Sequence, residues 1–367
     1  MRLRSVIPIR ISLPLLAPIK MANATIANAD NLLVRVEDSD GNVGWGEAAS
    51  APLMTGETQD GMVAAAEFIR PQIEGLEVED VAQFGAQLDP LMYGNSAAKS
   101  AIEMAVYDLA GKRRGIPVVE LLGGAVRREL AALWMLAANE RAADVAMAKR
   151  MAAEGFIAFK VKVGGATVEE DLARCADIRA ALGATARISA DANQGFSRAQ
   201  AIAFAEGAAA AGLDFIEQPL DGHNLDGMAE VARATRLPIG ADEGIHGLDD
   251  IERHHATGAA RGASLKTIKL GGLASMMAAG RRMEALRMHV NLAGKMADSS
   301  VASAAIVHLG AALPQLDWDI SATCIYLAQD IVTDPIRLVR GHARLLERPG
   351  LGVAVDESKI SGWRAAA

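Results

Sequence analysis

Aromatic residues are scarce. Phe, Trp and Tyr together make up 4% of the 367 residues, so alanine, leucine, valine and methionine must fill the core. There are two cysteines, Cys175 and Cys324, and neither lies near the other in the chain. That excludes a metal knuckle or a CxxC redox pair, and a reduced, cytoplasmic setting fits best. Positive charge is also short, with 37 Lys and Arg against 45 Asp and Glu giving a net −8. A chain of that sign gains no general electrostatic help toward nucleic acid or anionic lipid. Its only dense basic run, Lys112-Arg113-Arg114 beside Gly115 and Pro117, reads as a solvated helix end. No run of the ~18 apolar residues that a membrane span needs is present, so no membrane partner is expected. The opening Met1-Arg2-Leu3-Arg4 and the apolar stretch after it have the outline of a signal peptide. Pro8, Arg10 and Pro14 interrupt that stretch, and Ile7, Ile9 and Ile11 alternate as a strand does.

What is plentiful is hydrophobic residues, at 51%, with charge at 22%; disorder is excluded and a large core is affordable. Residues 1–50 read as strands. Leu32, Val34 and Val36 alternate, Asp38-Ser39-Asp40-Gly41-Asn42 is a turn, and Val43 to Glu47 resumes, a hairpin signal. Residues 57–122 switch to helical spacing, with Ala98, Ile102, Ala105 and Leu109 on one stripe. The texture changes again near residue 131. Eight short apolar runs alternate with alanine-rich helical segments: Leu133–Ala137, Phe156–Val163, Arg187–Asn193, Phe215–Leu220, Pro238–Glu243, Ser264–Lys269, His289–Ala293 and Leu316–Ser321. Thr167-Val168-Glu169-Glu170 and Ser197-Arg198-Ala199-Gln200 fit capping boxes at helix starts. The pattern is α/β: an α+β unit over 1–125, a TIM-type barrel over 126–322, and a segment 323–367 expected to return to the small unit.

Polar residues keep time with the barrel. Lys162, Asp191, Glu217, Asp242 and Lys266 follow one another at steps of 29, 26, 25 and 24 residues. Each step is one βα unit, so the five form a ring at the mouth where barrel active sites sit. Three carboxylates with no cysteine or histidine make a hard oxygen site suited to Mg²⁺, with Mn²⁺ as a possible substitute. Lys162 and Lys266 flank them and can act as acid and base on two faces of a bound substrate. Lys160 shares a strand face with Lys162. Taken singly, each carboxylate could be a helix cap and each lysine a solvated one; five in register argue against that. A second alternative is a phosphate-binding barrel using Gly164-Gly165 and Gly271-Gly272, but three carboxylates would repel a phosphate.

These segments resemble the enolase superfamily, in particular its muconate-lactonizing-enzyme subgroup. The matching stretches are Phe159-Lys160-Val161-Lys162-Val163-Gly164, Asp191-Ala192-Asn193-Gln194, Phe215-Ile216-Glu217-Gln218-Pro219, Ala241-Asp242-Glu243 and Leu265-Lys266 with Lys269, Gly271 and Gly272. Outside the barrel, Gly44-Trp45-Gly46-Glu47-Ala48, Ala98 to Ala105 with Asp108-Leu109, Leu121-Leu122-Gly123-Gly124 and Pro349 to Val353 match too. The resemblance implies a (β/α)₇β barrel under a capping domain, Mg²⁺ on Asp191, Glu217 and Asp242, and Lys162 and Lys266 as the acid/base pair. It implies loss of a proton α to a carboxylate, giving an enediolate. Asn193, Gln218 and Glu243 are expected to support the ligands. A dimer or octamer is also implied.

The sequence departs from the family in places. Ser321 stands where cycloisomerases have a glutamate, which weakens a reading as muconate chemistry. Asp317 and Asp319 share a parity and are read as facing the pocket, similar to the Asp-x-Asp with which dipeptide epimerases hold an ammonium group; a helix or loop cap is the alternative. Such epimerases lack Lys295, which is placed to contact a second carboxylate on the substrate. The mandelate-racemase subgroup has a histidine at the end of strand seven, but His289 lies at that strand's beginning. His254-His255 read as solvated on a helix. Asp298 is expected to line the pocket or cap a helix. Met21, Met54 and Thr55 lie in the two segments, 20–25 and 53–56, that correspond to the family's lid loops. The expectation is a Mg²⁺-dependent isomerase of a small carboxylate, either a cycloisomerase or a racemase/epimerase. The alternatives are a syn-dehydratase resembling o-succinylbenzoate synthase or a hydroxy-acid dehydratase, and a barrel kept for binding alone.

Overall fold

A three-stranded antiparallel sheet leads the chain in this computed structural model, which describes residues 1–20 and 25–363. Its strands are β1 (Leu3–Lys20), β2 (Thr25–Asp38) and β3 (Val43–Ala49). The turn between β2 and β3 forms because the Asp38 carboxylate accepts from the backbone N–H of Asp40 and of Asn42, both at 2.9 Å. The sheet lies on the helix Ser96–Arg114. Gly44 and Gly46 allow this: a Cβ on either would collide with the backbone of Ala105 or Ala101 on that helix. The expected stripe is buried, but so is every residue from Ala97 to Gly111, because the sheet, barrel and C-terminal segment enclose the helix. Its basic end is tethered: Lys112 meets Asp108 at 2.6 Å and Arg113 meets Asp38 at 2.9 Å.

Strand β4 (Glu129–Ala131) pairs antiparallel with β13 (His342–Arg344). Between them runs the barrel: β5 (Leu133–Leu136), β6 (Ala158–Lys162), β7 (Arg187–Asp191), β8 (Phe215–Glu217), β9 (Ile239–Ala241), β10 (Gly262–Leu265), β11 (His289–Ala293) and β12 (Ile320–Ser321). The eight pair in sequence order, and a parallel bridge between Ala132 and Ile320 brings the last beside the first. Both capping boxes form, at Thr167 with Glu170 and at Ser197 with Gln200. The C-terminal segment reaches back to the capping sheet, where Ala328 N–H donates to Pro14 O at 2.8 Å, and to the start of the helix Val118–Leu121, whose Val118 N–H donates to Gly350 O at 2.8 Å.

Two strand boundaries differ from the sequence reading. The run Ser264–Lys269 leaves the sheet at Leu265, and Thr267–Leu270 is a helical turn. The run Leu316–Ser321 joins the sheet only at Ile320. The residues before it pass under the barrel, with Asp319 in a left-handed conformation (φ 59°) and Trp318 stacked on Phe215 at 3.8 Å.

Candidate functional site

The register of the parallel strands sets the site. Lys162 lies opposite Asp191 across β6 and β7, and Asp191 opposite Glu217 across β7 and β8. Asp242 and Lys266 follow the last residues of β9 and β10 directly. All five are buried, between 1% and 8% exposed. In an eight-strand ring, β6 and β10 are diametrically opposed, with β7, β8 and β9 on one side and β11, β12 and β5 on the other. The two lysines therefore face each other across the mouth, and the three carboxylates fill one arc between them.

Each carboxylate is held by amines. Lys160 Nζ donates to Glu217 at 2.6 Å, and Lys162 Nζ to Asp191 at 2.6 Å and Asn193 Oδ1 at 2.6 Å. Lys266 pairs with Asp242, and Lys269 Nζ donates to the same carboxylate at 2.7 Å. Burial alone would raise the Asp191 carboxyl, but Lys162 and Lys160 outweigh it and hold it below the usual range. Burial is likewise outweighed at Asp242, which Lys266 and Lys269 hold far below that range. Glu217 is pushed up by burial, and its Oε1 is buried without a partner. For Lys160 burial opposes the charge, yet Glu217 and Asp191 prevail and keep the ammonium charged.

Three buried oxygen-only donors, one with an orphaned oxygen, fit a hard divalent cation in their chemistry. Among the described residues, no three acidic or imidazole groups close on a single point; the lysines hold the carboxylates instead.

Behind the ligand arc, supporting side chains bridge strand ends. Asn193 accepts from Lys162 and donates to Glu243 at 3.0 Å. Gln218 Oε1 accepts from Asp242 N–H at 2.7 Å and Gly244 N–H at 3.2 Å, which fixes the end of β9 against that of β8. Asn193, Gln194 and Gln218 all have positive φ (41°, 65° and 36°), a backbone cost concentrated beside the carboxylates. Glu243 lines an outer chamber; burial, with Asp242 and Asp191 nearby, pushes its carboxyl up to about 7.

Two adjoining spaces with shared wall residues open above this arc. The inner one, about 70 Å³, reaches Lys160, Lys162, Asp191, Glu217, Asp242 and Lys266, and its far wall is Leu133, Met135, Gly294, Lys295, Ser321 and Thr323. The outer one, about 400 Å³, lies between barrel and capping domain and is lined by Thr25 to Asn28, Asp30, Asn31 and Ser50 to Met54 together with Asn193, Glu243 and Lys295. Met54, Asn193, Lys295 and Met296 line both.

Other expected contacts fall elsewhere. Met21 lies outside the described residues. Thr55 lines neither space; its hydroxyl donates to Ala51 O at 3.3 Å and shapes the turn. Asp298 is buried under the loop and accepts from Lys295 N–H at 3.0 Å rather than facing the pocket. Asp317 and Asp319 sit at the opposite mouth. Asp317 pairs with His289 at the start of β11, and Asp319 with Arg187 at the start of β7. Neither residue is in a strand, so strand parity does not aim them at the pocket, and from the opposite mouth neither can receive a substrate ammonium group. His254 is buried at 2% exposure, with Nδ1 against Asp250 O at 2.8 Å, while His255 is exposed.

Several residues that matter here were not singled out from the sequence. Glu47 on β3 reaches across to the barrel, accepting from Ser299 N–H (2.9 Å), Ser299 Oγ (2.5 Å) and Ala302 N–H (3.1 Å). Asn31 donates to Glu47 at 2.6 Å and to Ala297 O at 3.1 Å, so the capping sheet grips the loop that carries Lys295. A charged residue in line with the buried strand positions of β3 was the available signal. Tyr326, whose hydroxyl accepts from Met135 N–H at 3.0 Å, completes the inner wall.

Known proteins share this architecture. Residues 5–123 match the mandelate racemase/muconate lactonizing enzyme N-terminal domain, and residues 143–359 the enolase C-terminal domain-like family. The chain is 34% identical to muconate cycloisomerase 1 of Pseudomonas putida over 94% of its length and 93% of that protein's. It superposes on the crystal structure of muconate lactonizing enzyme from Pseudomonas fluorescens complexed with muconolactone, with a TM-score of 0.94, 32% identity and 99% of both chains covered. It also superposes on a dipeptide epimerase from Cytophaga hutchinsonii complexed with Mg and D-Ala-L-Val, with a TM-score of 0.92, 27% identity, and 99% and 98% coverage. The chain belongs to the mandelate racemase/muconate lactonizing enzyme family and is an isomerase of the enolase superfamily's muconate-lactonizing subgroup.

Proposed function

We propose that the enzyme moves a proton on the carbon α to a carboxylate of a small acid, as a racemase or epimerase. The observation that carries this is the diametric placement of Lys162 and Lys266 with three buried carboxylates on the strands between them. Asp191, Glu217 and Asp242 would hold Mg²⁺, in line with the superfamily's general use of that ion with a lysine base. When bound, the cation supplies positive charge against the second negative charge that develops as the α-proton leaves.

The chain's own residues do the rest. One of the two lysines, as the free amine, takes the α-proton and becomes an ammonium. The other, already an ammonium, returns a proton to the opposite face and is left as the amine. Lys160 stays charged through Glu217 and Asp191, so it contributes positive potential and not a base. Asn193 orients Lys162. Ser321, on the wall facing the carboxylates, offers no carboxylate where cycloisomerases have one, which supports proton transfer over lactonization.

The test is α-deuterium incorporation in D₂O with Mg²⁺ and a panel of carboxylates, read by mass spectrometry. Exchange without loss of water is expected in the wild type. Lys162→Ala and Lys266→Ala should each slow turnover by roughly 100- to 10,000-fold. Exchange that survives in both variants, or product formed with loss of water, would overturn the proposal.

A further inference from the structure

Two acidic residues recur at one place in successive units of the barrel. Asp144 is the fourth residue of the helix Arg141–Ala153, and Asp171 is the fourth of the helix Val168–Leu182. Each turns back on the loop that leads into its own helix. Asp144 Oδ1 accepts from Ala138 N–H at 3.0 Å, and Asp171 Oδ2 from Gly164 N–H at 2.7 Å. Between them lies Arg174. Its Nη1 donates to Asp144 at 2.9 Å and to Asn139 Oδ1 at 3.2 Å, and its Nη2 to Asp171 at 2.7 Å and to the carbonyl oxygen of Lys162. All three side chains are buried, at 0–4% exposure, and none lines either chamber.

We propose that Arg174, held between Asp144 and Asp171, is a positioning residue for Lys162: it fixes the end of β6, so that this lysine and not Lys266 is kept within reach of the α-carbon. This rests on the reading of the two lysines as the acid/base pair.

Energetics and geometry both point there. A guanidinium and two carboxylates are costly to take out of water, and apolar side chains of similar size would pack these helices on the barrel at lower cost. Apolar side chains cannot grip polar backbone, however, and that is what this network does. Its outward bonds go to Ala138 N–H, Asn139, the Lys162 carbonyl and Gly164 N–H, all at the ends of β5 and β6 or in the loops that leave them. Asn139 is left-handed there, at φ 55°, a conformation that persists where its surroundings fix it. Lys162 is thus held at both ends, its amine by Asp191 and Asn193 and its backbone by Arg174.

Lys266 is supported from elsewhere. The turn after β10 that carries it is met by the capping domain, where Ser96 Oγ donates to Ile268 O at 2.6 Å and Glu103 accepts from Leu273 N–H. The two lysines stand on separate supports, and one can be loosened without the other.

The experiment reads the lysines apart in the Mg²⁺-loaded enzyme in D₂O. The probes are the separate enantiomers of 2-phenylpropanoate, 2-methylsuccinate and N-acetylmethionine, with deuterium measured in the recovered starting enantiomer at low conversion. Inversion is not used, because the equilibrium constant ties its two directions together. Exchange with retention has no such tie: the lysine on one face takes the proton and returns a deuteron to that face. Arg174→Met should slow retention exchange of one enantiomer by roughly 10- to 100-fold and leave the other within about threefold. The enantiomer affected should be the one that Lys162→Ala slows more. Asp171→Asn keeps the side chain's shape and should slow the same enantiomer by a smaller factor; it decides the matter if Arg174→Met does not fold. A brace that served stability alone would slow both enantiomers equally. Equal slowing, slowing of the Lys266 enantiomer instead, or no slowing in either variant would overturn the inference. The two readings fail separately. A wild type that exchanges none of the probes, or exchange untouched by Lys162→Ala and Lys266→Ala, would remove the acid/base pair and this inference with it. Exchange that needs both lysines but ignores Arg174 and Asp171 would remove the inference alone.

Discussion

Glu47 offers a direct measure of how far the barrel depends on its cap. Its carboxylate takes hydrogen bonds from Asn31, from the N–H and hydroxyl of Ser299, and from Ala302 N–H. The Ser299 hydroxyl also accepts from Val301 N–H at 3.1 Å, but that contact does not use the O–H it donates to Glu47. Glu47→Ala would therefore strand four donors: two backbone N–H groups, the Ser299 hydroxyl and the Asn31 amide. At ~1–3 kcal/mol for each buried unsatisfied group the loss is about 4–12 kcal/mol. Relief of the carboxylate's own burial, which raises its pKa, offsets part of this, so about 5 kcal/mol is a fair working value. With an unfolding entropy of about 2 cal/mol/K per residue, that lowers Tm by about 7 °C. Glu47→Gln keeps one acceptor oxygen and should lose about half as much. Urea unfolding followed by circular dichroism gives the global figure, and hydrogen exchange of the 297–303 segment gives the local one. If Glu47→Ala left both the urea midpoint and the exchange of that segment unchanged, the assignment of this carboxylate as an interdomain anchor would be refuted.

Other expectations follow from groups away from the ring. Glu103, buried against the N-terminus of the helix Leu273–Ala285, has its carboxyl raised to about 8 by burial. Its folded value exceeds the unfolded one, so its contribution is full below about 4.5 and is lost as pH rises from there through about 8. Glu103→Gln should thus match the wild type in Tm at pH 4 and exceed it increasingly from pH 6 to pH 9. His308 runs the other way. Its Nδ1 accepts from Val119 N–H at 3.2 Å and its Nε2 faces Leu351 O at 3.1 Å, so it is held neutral, and burial lowers it to about 4. The unfolded state then binds the extra proton first, and stability should fall by up to ~3 kcal/mol between pH 6.5 and 4. His308→Gln should flatten that limb of the curve of urea midpoint against pH. Under the barrel, Asp317→Asn and Asp319→Asn should leave kcat and KM alone, whereas Trp318→Ala should cost ~3–5 kcal/mol of stability. A rise in KM for either aspartate variant would return those residues to the substrate site.

The ring was legible because a barrel repeats. One βα unit between successive polar positions forces them to the same mouth, and their types then limit the chemistry. Asp317 and Asp319 were misplaced for a local reason. Alternation carries meaning only inside a strand, and the backbone enters the sheet at Ile320, past the left-handed turn at Asp319. Asn31 and Glu47 were out of reach because their partners lie some 250 residues along the chain. His254 was misjudged from its polar neighbor, since helix geometry turns His254 inward and His255 out.

The carboxylates that bind the cap to the barrel also constrain how a substrate enters. Glu47 caps the helix Ser300–Ala312 and Glu103 the helix Leu273–Ala285, from two different elements of the capping domain. A hinged opening of the whole cap would have to break both sets of buried hydrogen bonds at once, at a cost comparable to a large part of the stability of a domain. The rim is held more lightly. Among the described residues, the 50–54 stretch is hydrogen-bonded to the barrel through the exposed contact of Met54 O with His246 at 2.8 Å, a bond that thermal motion can open on the nanosecond-to-microsecond scale of loops. Local motion of the rim therefore costs far less than separating cap from barrel.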